Sequence, residues 1–563
     1  MPLNLFAIMP NLPMLPPLIP KGVQTDSPNI TFNAVAVASA AVALALMLAP
    51  TDALAQQAVP PAIGATSQFP ITGFEVNGDN PLTPSDSARV LAPFVVPAGT
   101  LVTVQQASAA LDAELKRQGF SMHRVTLPAQ EMGSKVTLFV VKFVIGKVTV
   151  EGLSRYSEAN IRASVPELRE GEAPNFQALT VQTTIANENA GKQLQATFKE
   201  ADEADKINAT LLVKEAAPWA FSAGLSNTGS AATGRDRLSL VGSHANVFNL
   251  DHQFSGAYTT SLQRNQAVNQ LGLNYRVPLY SLGGVVGVSY TTSKVVGNFG
   301  TFNSTGAGRT FGVNYTQYLP PDNGRRSYLS VGLDSKLFNV TQINGLVVPG
   351  QLDRATRPIT LGYNVRTEAD KEVWGYNTEL ALNLPGGKSN DLTSYLSEDP
   401  RISTASWKAV RGGANYFKSY ASGWLWSIRG TAQYSGNALI SGEQFGLGGA
   451  SSIRGTGERA LSGDSGLFIS TESSSYELSP GLRALAFLDV GLLRNHNSAV
   501  NPNKPAKDQL AGAGLGLRYA TAGFSLALDW GRIVKGSVLP APLGSGIPQT
   551  GDKKLHASIT ARF

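Results

Sequence analysis

The last ten residues, Lys554 to Phe563, alternate without a break. Leu555, Ala557, Ile559, Ala561 and Phe563 fall on one face, and His556, Ser558, Thr560 and Arg562 fall on the other. Side chains of a strand change face at every residue. An apolar face over about ten residues is what a membrane barrel stave needs, with lipid outside and a wet lumen inside. Ending on an aromatic suits a closing stave, because an open sheet edge cannot be left in hydrocarbon. The same pattern would also serve an edge strand of a soluble sandwich, so the rest of the chain has to decide.

With 563 residues, the chain is too long for one hydrophobic core. A mean hydropathy of -0.04 excludes a bundle of membrane helices. The net charge is only +6, with no lysine-rich block, which argues against nucleic acid as a partner. One apolar run, Ala34 to Ala49, is followed by small residues at Ala53 and Ala55. It is short for a spanning helix and has the form of a secretory signal peptide over 1–55, cut before Gln56, with a longer start than such a leader needs. The absence of cysteine suits an exported chain with no disulfide framework.

After a short Ala- and Pro-rich lead, 56–67, two small domains are expected at 68–143 and 144–215. In the first, Phe69, Ile71, Phe74 and Val76 begin a strand region. Thr83-Pro84-Ser85-Asp86 reads as a capping box. A second cap at Thr103 opens a helix with Val104, Ala107, Leu111 and Leu115 on one stripe, stopped by Gly119. Two strands follow. The order strand, helix, helix, strand, strand then recurs, with Asn175 capping a helix that carries Leu179, Val181 and Ile185. Such small sheets have edges that could accept an extended peptide, although each domain could equally be a spacer.

From 216 to 563 helical stripes give way to alternating runs such as Leu238 to Val247, Leu329 to Leu333 and Ala484 to Val490, separated by Gly, Pro and Asn turns. At about ten residues per membrane strand plus its connection, this stretch holds roughly 14 to 18 strands. No short repeat of the kind a β-helix requires is found. Aromatics near strand ends, among them Tyr315, Tyr318, Trp424, Trp426 and Trp530, resemble an interface girdle.

One segment, 443–477, reads as a loop and not a strand hairpin, because glycines recur at 446, 448, 449, 455, 457, 463 and 466. Arg454 lies within it in small, polar surroundings, whereas Arg459 has Glu458 beside it. A counter-charge for Arg454 is available at Asp489, which shares a strand face with Phe487 and Gly491. A bidentate pair there would locate a loop against a wall; the alternative is an exposed loop arginine. Gly387-Lys388-Ser389 lacks the glycine five residues earlier that a phosphate-cradling loop needs, Leu382 standing there, so no nucleotide site is read. The five histidines are scattered and form no metal set. No catalytic residue, cofactor or metal is expected.

These features together resemble the outer-membrane transporters of two-partner secretion, the hemolysin secretion and activation (ShlB/FhaC/HecB) family. The residues that carry the resemblance are Phe445 to Gly466, Phe487-x-Asp489, Asn249-Leu250-Asp251 and terminal Phe563. The resemblance implies two periplasmic POTRA domains and a membrane β-barrel of 16 antiparallel strands over 216–563, with a loop folded into the barrel. Within that loop it implies a motif of Gly448, Gly449, Ser452, Ile453, Gly463, Asp464 and Gly466. Arg454 and Gly455 would form the tip, with Asp489 and Phe487 as the wall anchor. Leu555, Ala557, Ile559, Ala561 and Phe563 would form a C-terminal assembly signal.

The implied activity is export of an unfolded, adhesin- or hemolysin-type partner protein recognised by the POTRA domains, in a Gram-negative outer membrane. The barrel assembly machinery, periplasmic chaperones and lipid would be further partners, and the transporter would be a monomer. An outer-membrane assembly factor of the same superfamily is the alternative; a diffusion porin or an adhesin fits less well. Two departures stand out. Thr456 occupies a position where the family usually has an aromatic, which puts stacking at the tip in doubt. The lead at 56–67 leaves room for only a short plug helix, or none.

Overall fold

The computed structural model describes residues 68–563, apart from 132, 231–232, 296, 300–301, 305–306, 323, 341, 344–345, 348 and 543–544. The expected signal peptide, 1–55, and the lead at 56–67, where a short plug helix or none is expected, lie outside the described residues.

The first small domain runs β1 (Gly73–Gly78), α1 (Pro84–Leu91), α2 (Leu101–Arg117), β2 (His123–Thr126) and β3 (Lys135–Lys142), with sheet order β1-β3-β2. Thr83 caps α1, its hydroxyl accepting from the Asp86 amide at 3.1 Å. The cap of α2 is Thr100 and not Thr103. Thr103 is the third helical residue, and its hydroxyl accepts from the Thr100 amide at 3.1 Å, so the box is one turn earlier than its sequence suggests. The helical stripe Val104, Ala107, Leu111 and Leu115 packs on Val136, Leu138 and Val140 of the central strand. This is the burial that a three-stranded sheet needs in order to stand alone.

The second domain repeats the plan with β4 (Val144–Glu151), α3 (Glu158–Ser164), α4 (Phe176–Asn187), β5 (Lys192–Glu200) and β6 (Lys206–Glu215), in sheet order β4-β6-β5. Only Phe143 separates β3 from β4. Asn175, the cap of α4, also donates to the Gln118 carbonyl at 2.9 Å, while the Phe176 amide donates to the Gly119 carbonyl at 2.7 Å. Gly119 has φ +92°, and a Cβ there would lie 2.2 Å from the Asn175 amide oxygen. The two small domains are therefore joined by hydrogen bonds as well as by covalent linkage.

The remaining chain forms a closed antiparallel barrel. In order its strands are β7 (Trp219–Ser226), β8 (Arg237–Val247), β9 (His252–Thr260), β10 (Asn269–Leu279), β11 (Gly284–Ser293), β12 (Gly308–Tyr318), β13 (Arg325–Phe338), β14 (Arg354–Thr356 continuing as Pro358–Glu368), β15 (Glu372–Asn383), β16 (Lys408–Ser419), β17 (Leu425–Tyr434), β18 (Ser465–Ser474), β19 (Leu482–Arg494), β20 (Lys507–Ala520), β21 (Phe524–Lys535) and β22 (Lys553–Arg562). Both pieces of β14 pair with β13, which makes 16 staves, and β22 closes on β7. Alternation decides the faces. On β19, Leu488, Val490 and Leu492 are exposed outward, while Phe487 and Asp489 are buried inward. On β22, Leu555, Ile559 and Phe563 are exposed, and Phe563 is 81% exposed.

Short turns (248–251, 369–371, 521–523) occupy the rim where the barrel chain enters and ends. Long connections (384–407, 435–464, 536–552) occupy the other rim. Connection 384–407 holds structure that period-two reading passes over. It carries helix α5 (Leu392–Leu396) and buries Tyr395, Ile402 and Trp407 against Leu439 and Ile440.

Candidate functional site

Between β17 and β18 the chain makes a narrow hairpin, Phe445–Leu447 against Leu461–Gly463, with the tip beyond it. The glycine-rich stretch 443–477 is thus not one loop, because Ser465–Ser474 is wall strand β18. Gly466 belongs to that wall, and its missing side chain makes room for Phe445: a Cβ there would fall 2.2 Å from the ring. Glycine in a strand marks close approach as well as irregular backbone, and sequence alone does not separate the two.

At the tip, Arg454 is 1% exposed and faces a patch of four wall residues on β18 and β19. Its Nη2 donates to Asp489 Oδ1 at 2.7 Å and its Nε to Asp489 Oδ2 at 2.8 Å, a bidentate fork. The Arg454 backbone amide also donates to Asp489 Oδ2, at 3.0 Å. Nη1 donates to Glu472 at 2.6 Å and Nη2 to the Ser470 hydroxyl at 3.2 Å. The guanidinium lies 3.5 Å above the Phe487 ring. Ser470 and Asp489 are register partners, as are Glu472 and Phe487, so two adjacent strands supply these four contacts, and Asp529 of β21 stands 3.9 Å from Nη1. Asp489 is fully buried. Breaking such a pair while it stays dry costs about 3–5 kcal/mol.

Gly455 turns the tip at φ +105°, a conformation that favours glycine. Its amide donates to His556 Nε2 on β22 at 3.1 Å. The wall beneath is bare: a Cβ at Gly531 would sit 2.7 Å from the Arg454 carbonyl carbon and the Gly455 nitrogen, and one at Gly512 would sit 2.4 Å from the Arg454 oxygen. Ile453 is buried with Leu447, Leu461, Leu510 and Ile533.

Thr456 does not stack. Its hydroxyl accepts from the Gly449 amide at 3.1 Å and donates to the Ile453 carbonyl at 3.0 Å, closing the tip on itself. The stacking surface comes instead from Phe487 of the wall. Gly448 and Gly449, both at positive φ, make the preceding turn, where the Gly448 amide donates to the Ser452 hydroxyl at 3.3 Å. Arg459 is not neutralised by Glu458: it donates to the Ser441 and Gln444 carbonyls at 2.6 Å, while Glu458 accepts from the Ala450 amide at 2.9 Å. Sequence neighbours around a turn point apart.

The root of the loop has a second buried ion pair. Asp464 Oδ2 accepts from Arg401 at 2.8 Å and from the His496 amide at 2.9 Å, and Oδ1 accepts from the Leu439 amide at 3.0 Å. Gly463 sits beside it, close to Leu493 and Asn495. Nearby, Glu443 accepts from Lys336 at 3.0 Å and from Arg411 at 2.8 Å. Sequence reading does not reach Arg401, Glu472, Ser470 or His556, because their partners lie on other strands and loops. The glycine series Gly512-x-Gly514-x-Gly516 was the available signal: small residues on one strand face mean that something lies close to it. Among the described residues there is no cluster of His, Asp and Glu that could hold a metal.

The model of the haemolysin secretion/activation protein family ShlB/FhaC/HecB matches residues 206–519. The chain belongs to that family. The outer membrane transporter CdiB of Escherichia coli is 23% identical over 483 residues, covering 82% of this chain and 80% of that protein. The heme/hemopexin transporter protein HuxB of Haemophilus influenzae is 23% identical over 476 residues, covering 81% and 82%. The solved structure of CdiB from Escherichia coli superposes with a TM-score of 0.69 at 19% identity, over 90% of this chain and 93% of that one, which shows the shared fold.

As a ShlB/FhaC/HecB member the chain is a non-enzymatic outer-membrane transporter with periplasmic POTRA domains. It translocates an unfolded partner exoprotein; it is neither a simple porin nor an assembly factor. Its own assembly calls on the biogenesis machinery for barrels.

Proposed function

We propose that the hairpin held by Arg454 and Asp489 is the resting obstruction of the export path, and that the partner displaces its tip on the way out. The observation that carries this reading is the socket itself. A guanidinium forked onto a fully buried wall carboxylate holds the loop strongly while both groups stay buried. Both charges regain water once the tip leaves, so release costs far less than breaking a permanently buried pair.

In this reading the POTRA domains capture the partner as an added strand, with β5, a nine-residue edge strand, offering the longer ladder and β2 a shorter one. The cargo is an adhesin- or hemolysin-type exoprotein. The transporter works as a monomer, and Leu555, Ala557, Ile559, Ala561 and Phe563 present the apolar face that the assembly machinery and its chaperones read. The lead at 56–67 contributes little obstruction.

The test is secretion of the partner into the medium by cells carrying Arg454→Asp, Asp489→Arg or both. Each single reversal should retain the partner in the periplasm, and the double reversal should restore a substantial part of export. A double variant no better than the singles would refute the pairing.

A further inference from the structure

The socket on β18 and β19 accounts for the Arg454 side chain but not for the hydrogen bond to the next residue. The Gly455 amide donates to His556 Nε2 at 3.1 Å, across to the barrel's last strand. His556 is buried. As Nε2 is the acceptor, the ring proton is on Nδ1, which is buried and has no hydrogen-bond partner among the described residues. A buried donor left without a partner is unfavourable.

The place of His556 along β22 adds to this. β22 pairs with β7 only over Ser558–Arg562, whereas its ladder with β21 continues down to Lys553. Where the β7 ladder stops, Asn227 substitutes for it. Its side chain donates to the Leu555 carbonyl at 2.7 Å and accepts from the Ala557 amide at 2.9 Å. Those two contacts bracket His556. Of the charged groups around the ring, Arg454 is engaged by Asp489 and Glu472, and Asp529, the register partner of His556, is held by Arg518 at 2.8 Å through both oxygens and lies 3.9 Å from Arg454; Lys554 is two residues away on the same strand.

We propose that His556 is a positioning residue that ties the loop tip to the closing strand β22, so that the resting loop is held at two points on opposite sides of the Gly512–Gly531 wall. Arg454 supplies the strong attachment. His556 supplies a weak, orienting one that keeps Gly455 over bare backbone. This rests on the reading of the loop as the resting obstruction.

The experiment is single-channel recording of the purified full-length protein in planar bilayers, comparing wild type, His556→Leu, His556→Gln and Arg454→Ala. Heat-modifiable migration confirms that each variant is a folded barrel. Leucine fills the space but cannot accept, so opening frequency should rise by roughly two- to tenfold, the factor equivalent to one net hydrogen bond. Glutamine restores an acceptor and should return the frequency towards wild type. Leucine gating like wild type, or glutamine gating like leucine, would overturn the role of His556. If Arg454→Ala also gates like wild type, the loop is not the obstruction, and the broader reading fails with it.

Discussion

The tip and the root of the inserted loop are each held by a buried arginine–carboxylate pair, yet they are built for different ends. At the root, Arg401 and Asp464 are both fully buried and lie beside a folded cap of Tyr395, Trp407, Leu439 and Ile440. Asp464 also organises backbone amides from two segments, at Leu439 and His496. Removing it takes the acceptor from both amides, although Arg401 also donates to Asp399 at 2.8 Å. At the tip, Arg454 meets Asp489 across a wall thinned by Gly512 and Gly531. The tip's polar partners are wall side chains that face a lumen, and water can take over their hydrogen bonds. The comparison teaches that burial of an ion pair does not by itself make a fixture; what matters is whether the groups have somewhere wet to go.

The sharpest way to break this contrast is to remove one member of each pair in turn. Asp464→Ala should destabilise the folded cap by about 1–3 kcal/mol, the cost of leaving the buried Leu439 and His496 amides without their acceptor, while Arg401 keeps Asp399 at 2.8 Å. Its heat-modifiable band should melt well below wild type. Arg454→Ala should melt near wild type and instead conduct more. Equal losses of thermal stability in the two variants would erase the distinction.

A smaller perturbation tests the berth and leaves every charge in place. Gly531→Ala puts a methyl 2.7 Å from tip backbone. It should raise channel opening with the barrel melting point shifted only slightly, because β21 itself tolerates alanine. An unchanged opening frequency would mean that the tip does not rest on that wall.

The smallest effect is expected away from the loop altogether, in the first small domain. The Glu114 carboxyl is held down to about 2 by hydrogen bonds from Arg117 and Gln118, with Arg89 adding to them against the opposing effect of burial. A depressed carboxyl contributes stability above its unfolded value of 4.5, and that contribution disappears as pH falls towards 2. Arg89 and Arg117 are exposed, so the contribution is modest. Acid titration of the full chain followed by proteolysis of the small domains should show earlier cleavage below about pH 4, and Glu114→Gln should already be at that level at neutral pH.

The parts legible in the sequence are those governed by a local period. Lys554 to Phe563 announces a stave because ten residues suffice to show two faces. The α2 stripe announces a helix in the same way, although its cap shifts from Thr103 to Thr100 because hydroxyls at both ends of a box look alike. The number of staves is not legible to better than a range, since connections vary from 521–523 to 435–464. Asp489 could be suggested for Arg454 because Phe487, Asp489 and Gly491 share one face. Glu472, Ser470 and His556 could not, since barrel closure alone brings β18, β19 and β22 around one point. Connection 384–407 was opaque for a different reason: its core forms with residues of another loop, Leu439 and Ile440, so neither segment is amphipathic by itself.

The central claim, that the hairpin must leave the wall for export, is most directly tested by tethering it. A Cβ at Gly491 would lie 3.1 Å from Leu447 Cγ, which places a disulfide between Leu447→Cys and Gly491→Cys within reach, and the chain has no other cysteine. Secretion of the partner by this double variant should stop under oxidising conditions and resume on reduction. Equal secretion in both states, with the disulfide shown to be formed, would contradict the account.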